Sequence, residues 1–137
     1  MSTEITIASR KSEGFEEFLE LHGFAVEDLG DENFSVVRED ELTVMVNVTD
    51  GVMRFQVNIC PTSNIDTKEL YFKFLDLNTE ILPVSFGVDS TDQDSPQLVL
   101  TESRLLGDLS GDELLGVFDS LELATDRAEE VLTQSLG

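Results

Sequence analysis

From Leu42 to Ile59 the chain reads LTVMVNVTDGVMRFQVNI, two alternating runs of apolar and polar positions on either side of Asp50-Gly51. An Asp-Gly pair between such runs is the strongest short-range mark of a β-hairpin, because both central residues of the tight turn need positive φ. Closure there sets Val48 against Met53, Val46 against Phe55, Val44 against Val57 and Leu42 against Ile59. The other face pairs Thr49 with Val52, Asn47 with Arg54, Met45 with Gln56 and Thr43 with Asn58. A slip by one residue would put the whole apolar set in water, so the pattern fixes the register. Each large apolar side chain contributes about 1.5–3 kcal/mol when buried. The hairpin therefore drives folding only where another element covers this face.

The remaining pattern supplies the covering elements. Ser12 is placed to cap a short helix running to about His22, with Gly23 as its stop. Phe15, Phe18, Leu19 and His22 share one face of it. Gly23 to Asn33 reads as a loop, Phe34 to Arg38 as a strand, and Glu39-Asp40-Glu41 as the turn into the hairpin. After Pro61, which cannot donate to a ladder, a second helix is predicted with Asp66 as N-cap and Glu69 three residues on. It continues through ELYFKFLDLNTEIL to about Leu82. Leu70, Phe74, Leu77 and Ile81 form its stripe, Tyr71, Leu75 and Leu82 widen it, and Phe72 lies near the edge. Lys73, Asp76 and Glu80 hold the opposite side. A surface helix needs an apolar stripe only a little over about 100° wide. The excess calls for a second cover, either the third helix or another copy of the protein.

Pro83 opens a strand, VSFGVD, with Val84, Phe86 and Val88 on one face. A loop leads to QLVLTESR, in which Leu98 and Leu100 point one way. Ser110 and Glu113 make an S-x-x-E capping box. The helix after it carries Leu114, Phe118, Leu121, Thr125, Ala128 and Leu132 as one stripe, a lid over a sheet ending near Gln134. The expected architecture is α+β, a five-stranded antiparallel sheet with three helices in the order α-β-β-β-α-β-β-α, as a single domain over residues 1–137.

Composition narrows the function classes. There are 29 acidic residues against 8 basic ones, a formal net charge of −21. A phosphate backbone or an anionic bilayer surface would be repelled, so neither nucleic acid nor membrane is an expected partner. The acids are spread along the whole chain, which favours a role in solubility over a dedicated basic partner. No apolar run approaches the ~20 residues of a bilayer span. The N-terminal MSTEITIASRK has no secretion-signal pattern, and the lone Cys60 fits a reducing cytoplasm and a packed small side chain.

Motifs for catalysis are missing: no Gly-rich phosphate loop, no G-x-S-x-G elbow and no clustered His and Cys occur. His22, the only histidine, reads as structural. Asp89, Asp92 and Asp94 form the best cation candidate, but they lack the turn glycine and closing Glu of an EF-hand loop and read as a solvated turn. Arg54, beside Asn47, and Lys68 and Lys73 read as local charge partners. Neither catalytic residue nor cofactor nor metal is expected.

The meander ending at Ile59, the passage ELYFKFLDLNTEILPVSFGVD and the passage QLVLTESRLLGDLSGDELLGVFDSLELATDRAEEVL together resemble the class I type III secretion chaperones. These belong to the Tir-chaperone-like superfamily that includes YbjN-like proteins. The last passage is also similar to the YjfI-like bacterial family, whose members tend to be encoded near phage-shock-protein-A-like membrane-stress proteins. The likeness spans about Ser12 to Leu132 and rests on apolar patterns. It implies a small acidic cytoplasmic homodimer that binds another bacterial protein, basic or membrane-associated, and catalyses nothing. In the secretion chaperones the second helix and the neighbouring strand build the dimer. Carried over, that contact uses Leu70, Tyr71, Phe74, Leu75, Leu77, Val84 and Phe86. The alternatives are a regulator of a phage-shock-type membrane-stress system, and a small-ligand binder or carboxylate enzyme.

Overall fold

A computed structural model describes residues 11–38 and 42–136. The order of elements is α1 (Lys11–Leu21), β1 (Phe24–Gly30), β2 (Asn33–Arg38), β3 (Thr43–Thr49), β4 (Val52–Pro61), α2 (Lys68–Leu77), β5 (Ser85–Asp89), β6 (Gln97–Leu105) and α3 (Gly111–Leu136). Short 3-10 turns at Thr62–Ile65 and Leu106–Asp108 precede α2 and α3. The strands follow the order β1-β2-β3-β4-β6-β5, and β1–β2, β2–β3, β3–β4 and β5–β6 pair antiparallel. The fold is α+β with three α-helices.

The sheet has six strands, not five, because the stretch read as a loop contains β1. That stretch hides its turn. Asp31 and Glu32 both stand at positive φ, 54° and 64°, between the paired Gly30 and Asn33. The usual Asn-Gly or Asp-Gly signature of such a turn is absent. β1 is an edge strand whose Glu27 and Asp28 stay exposed, a charged guard against edge-to-edge pairing. The Glu39–Glu41 turn lies outside the described residues.

Two compact units emerge along this path. One comprises the described residues up to Gln56 together with Ser103–Phe118. Here the hairpin closes as its alternation requires: Asp50 and Gly51 take φ of 55° and 75°, and Val48↔Met53, Val46↔Phe55, Asn47↔Arg54 and Thr49↔Val52 are partners. Two helices pack on the strands of this unit. Phe15 of α1 packs edge-on against Phe34 at 5.0 Å, and Phe118 of α3 packs on Phe24 at 4.8 Å and on Phe55 at 5.7 Å. Ser110 caps α3, its Oγ accepting the Glu113 N–H at 3.2 Å and lying 3.4 Å from Glu113 Oε1.

The other unit comprises Val57–Glu102 and the chain from Asp119 on. Its core holds Ile65, Phe74, Leu77, Val84, Phe86, Leu98, Val99, Leu100, Leu121, Ala124 and Ala128. Phe74 and Phe86 meet edge-on at 4.9 Å.

Candidate interaction surface

The surface on α2 starts from how that helix begins and ends. Asp66 closes the 3-10 turn, so the cap moves on by one residue to Thr67. Its extended backbone aims Oγ1 at the Leu70 N–H, 3.2 Å away. The helix stops at Leu77, five residues before the expected Leu82. Asn78 Oδ1 accepts the Phe86 N–H at 2.6 Å, and Thr79 Oγ1 donates to the Asp76 carbonyl at 2.9 Å. Side chains that hydrogen-bond nearby backbone compete with helix continuation. Ile81 and Leu82 therefore lie in the turn that follows, Ile81 half-buried and Leu82 69% exposed.

Over its ten residues α2 has more apolar surface than its unit covers. Leu70, Phe74 and Leu77 share one side; Phe74 and Leu77 are buried and Leu70 is half-buried. At 100° per residue, Tyr71, Leu75, Lys68 and Phe72 fan out across the next side. Leu75 is 66% and Phe72 70% exposed, and Tyr71 is half-buried. No carboxylate lies among these four.

The seven residues expected at a dimer contact thus divide. Phe74, Leu77, Val84 and Phe86 belong to the unit's own core. Leu70 and Tyr71 are half-buried and Leu75 is exposed. Phe72, an aromatic ring at the edge of the stripe, is exposed as well. On β5, Val88 does not follow Val84 and Phe86 inward but stays 56% exposed at the strand's end.

A second feature of this unit is an open groove of about 420 Å³ between the turn after α2 and the second half of α3. It is lined by Glu80, Ile81, Leu82, Ser120, Leu123, Ala124, Asp126, Arg127 and Glu130. Leu123, off the buried stripe of α3, is 67% exposed. Arg127 approaches Glu80 Oε1 at 3.5 Å and Glu130 Oε2 at 3.8 Å. Nothing in the sequence signalled that these groups meet, because Glu80–Leu82 and the α3 residues of the groove are far apart along the chain.

The other sequence candidates fall into structural roles. Asp89 Oδ1 accepts the N–H and Oγ1–H of Thr91 at 3.0 and 2.6 Å, and Asp92 Oδ1 accepts the Asp94 N–H at 3.1 Å. These carboxylates brace a turn. Among the described residues no three His, Cys, Asp or Glu side chains converge as a metal site would require. His22 Nδ1 donates to the Phe18 carbonyl at 2.8 Å and its ring lies on Phe18 at 4.3 Å, so it finishes α1. Asn47 donates to Asn33 Oδ1 and accepts from Thr49 Oγ1, a polar ladder beside Arg54. Burial raises the pKa of the half-buried Cys60 thiol, which keeps it in the unreactive protonated form. Glu102, on β6, is a buried acid. No described helix is long and apolar enough to cross a membrane.

Residues 8–136 match the family model described as CesT_Tir_1. The chain belongs to the CesT_Tir_1 family. Three solved structures share its fold at low identity. A chain of the heterodimeric ExoU–SpcU complex, from the type III secretion system of Pseudomonas aeruginosa, aligns with a TM-score of 0.65 and 18% identity, covering 85% of this chain and 95% of that one. A protein from Methanothermobacter thermautotrophicus aligns at 0.64 and 16%, covering 91% and 98%. YbjN from E. coli aligns at 0.59 and 14%, covering 91% and 90%. No curated protein sequence matches this CesT_Tir_1 member.

Proposed function

We propose that this protein is a non-enzymatic protein-binding module, a chaperone-like or regulatory adaptor for another bacterial protein, acting in the cytoplasm as a homodimer built on α2. The observation that carries the reading is the acid-free face of Lys68, Tyr71, Phe72 and Leu75 in a chain of net charge −21. An apolar patch left in water generally marks an interaction site. A patch kept free of carboxylates, when 29 of 137 residues are acidic, lets two such chains approach without their carboxylates meeting. Membership of the CesT_Tir_1 family supports the binding role, and the ExoU–SpcU complex is a heterodimer of two proteins.

Light scattering on the eluting protein tests the dimer. The native chain should elute at twice its 15.2 kDa mass, and Leu75→Asp or Phe72→Asp at the single mass with an unchanged circular dichroism spectrum. Both side chains are mostly exposed, so neither change should unfold the protein. A native monomer, or a dimer indifferent to both substitutions, overturns the contact.

A further inference from the structure

The groove beside α3 gives the binding reading a second place and a ligand chemistry, and the inference rests on that reading. Leu82 and Leu123 line the groove and are each about two-thirds exposed, with Ile81 and Ala124 also in its lining. Around them stand Glu80, Asp126 and Glu130, with Arg127 as the one cation. Three carboxylates against one guanidinium leave the groove a charge of −2, inside a chain whose own field is strongly negative.

We propose that this groove docks a basic amphipathic segment of a partner protein. An apolar side chain sits between Leu82 and Leu123, and a Lys or Arg lies against Asp126 and the carboxylates that Arg127 spans. Charge complementarity selects this occupant. A second copy would bring two −2 rims together, and an acidic segment would be repelled. A small molecule would not be enclosed, because true ligand pockets bury most of the ligand's surface, whereas both leucines here stay open to water.

The probe is a fluorescein-labelled peptide with Leu at helical spacing on one face and Lys on the other, read by fluorescence anisotropy. The control has the same charge with Ser in place of Leu. The amphipathic peptide should bind about tenfold tighter than the control, and Leu123→Ser should remove about that factor, as loss of one apolar anchor does. Binding should weaken between about 0.1 and 1 M salt, where the Debye length falls from about 10 to about 3 Å. Asp126→Asn should flatten that dependence. Leu123 and Asp126 are exposed, and circular dichroism checks that each variant folds. Equal binding of the control, or indifference to Leu123→Ser, overturns the proposal. If Leu123→Ser instead breaks the dimer, the groove is a self-interface and the proposal fails. If peptide binding falls with Phe72→Asp but not with Leu123→Ser, the groove fails while the adaptor reading stands.

Discussion

Gly111 opens α3 where the Phe18 ring lies against the backbone. An alanine Cβ there would sit 2.6 Å from Phe18 Cζ and 2.7 Å from Cε1, well inside van der Waals contact. Alanine would strengthen the helix by about 1 kcal/mol at an interior position, and by less in the first turn. Overpacking a well-filled site costs about 1–3 kcal/mol. The ring cannot swing away freely, since Phe18 is buried and also stacks on His22. The second effect wins, so Gly111→Ala should lower unfolding stability by about 1 kcal/mol. Urea titration reads this as a lower midpoint at unchanged slope; an unmoved or raised midpoint would refute the packing argument. The close approach was invisible in the sequence, where Gly111 reads only as a residue inside a capping box. Asp50-Gly51 was legible because the residue types themselves satisfy the positive φ of the turn, whereas Asp31-Glu32 adopts the same conformation without them.

Helix α2 marks the boundary between what periodicity reveals and what it conceals. The apolar repeat through Ile81 and Leu82 is real, yet the helix ends earlier because Asn78 and Thr79 spend their side chains on nearby backbone. The bond from the Phe86 N–H to Asn78 ties the end of α2 to the start of β5, which in turn pairs Phe86 with Leu100. Removing the acceptor leaves a part-buried N–H unsatisfied, at about 1–3 kcal/mol. Asn78→Ala should therefore destabilise by that amount, and Asn78→Asp, which keeps an acceptor oxygen, should recover most of it. Hydrogen exchange at the Phe86 amide should quicken in the alanine variant alone. Equal exchange in both variants would mean that the bond does not hold the two elements together. The α3 stripe was readable because Leu114, Phe118, Leu121 and Ala128 are buried at helical spacing, whereas alternation did not foretell the exposed Val88 of β5 or the three successive buried residues Leu98, Val99 and Leu100 of β6. The Glu80–Arg127 groove was not readable either, since no local pattern connects the turn after α2 with the second half of α3.

Charge is a property of the entire chain and acts on folding and association at once. Eight bases cannot offset 29 acids however they are arranged. The ion pairs Arg104–Glu113, Arg127–Glu80 and Arg127–Glu130 lie at the surface, at 3.6, 3.5 and 3.8 Å, where each is worth about 1 kcal/mol or less. Repulsion among the unmatched carboxylates opposes the compact state. Added sodium chloride screens repulsion and ion pairs alike, and the larger sum decides the sign. The melting temperature should rise with salt at fixed protein concentration, each kcal/mol of relieved repulsion being worth about 4 °C in a chain of this length. A fall would mean that the few pairs outweigh the excess charge. The same titration separates the two modes of association. Contact between two −21 chains through α2 should tighten as salt rises, while a basic segment in the groove should let go. Measured together on the native protein, opposite salt slopes for self-association and peptide binding would assign them to different surfaces; slopes of one sign would tie both to a single one.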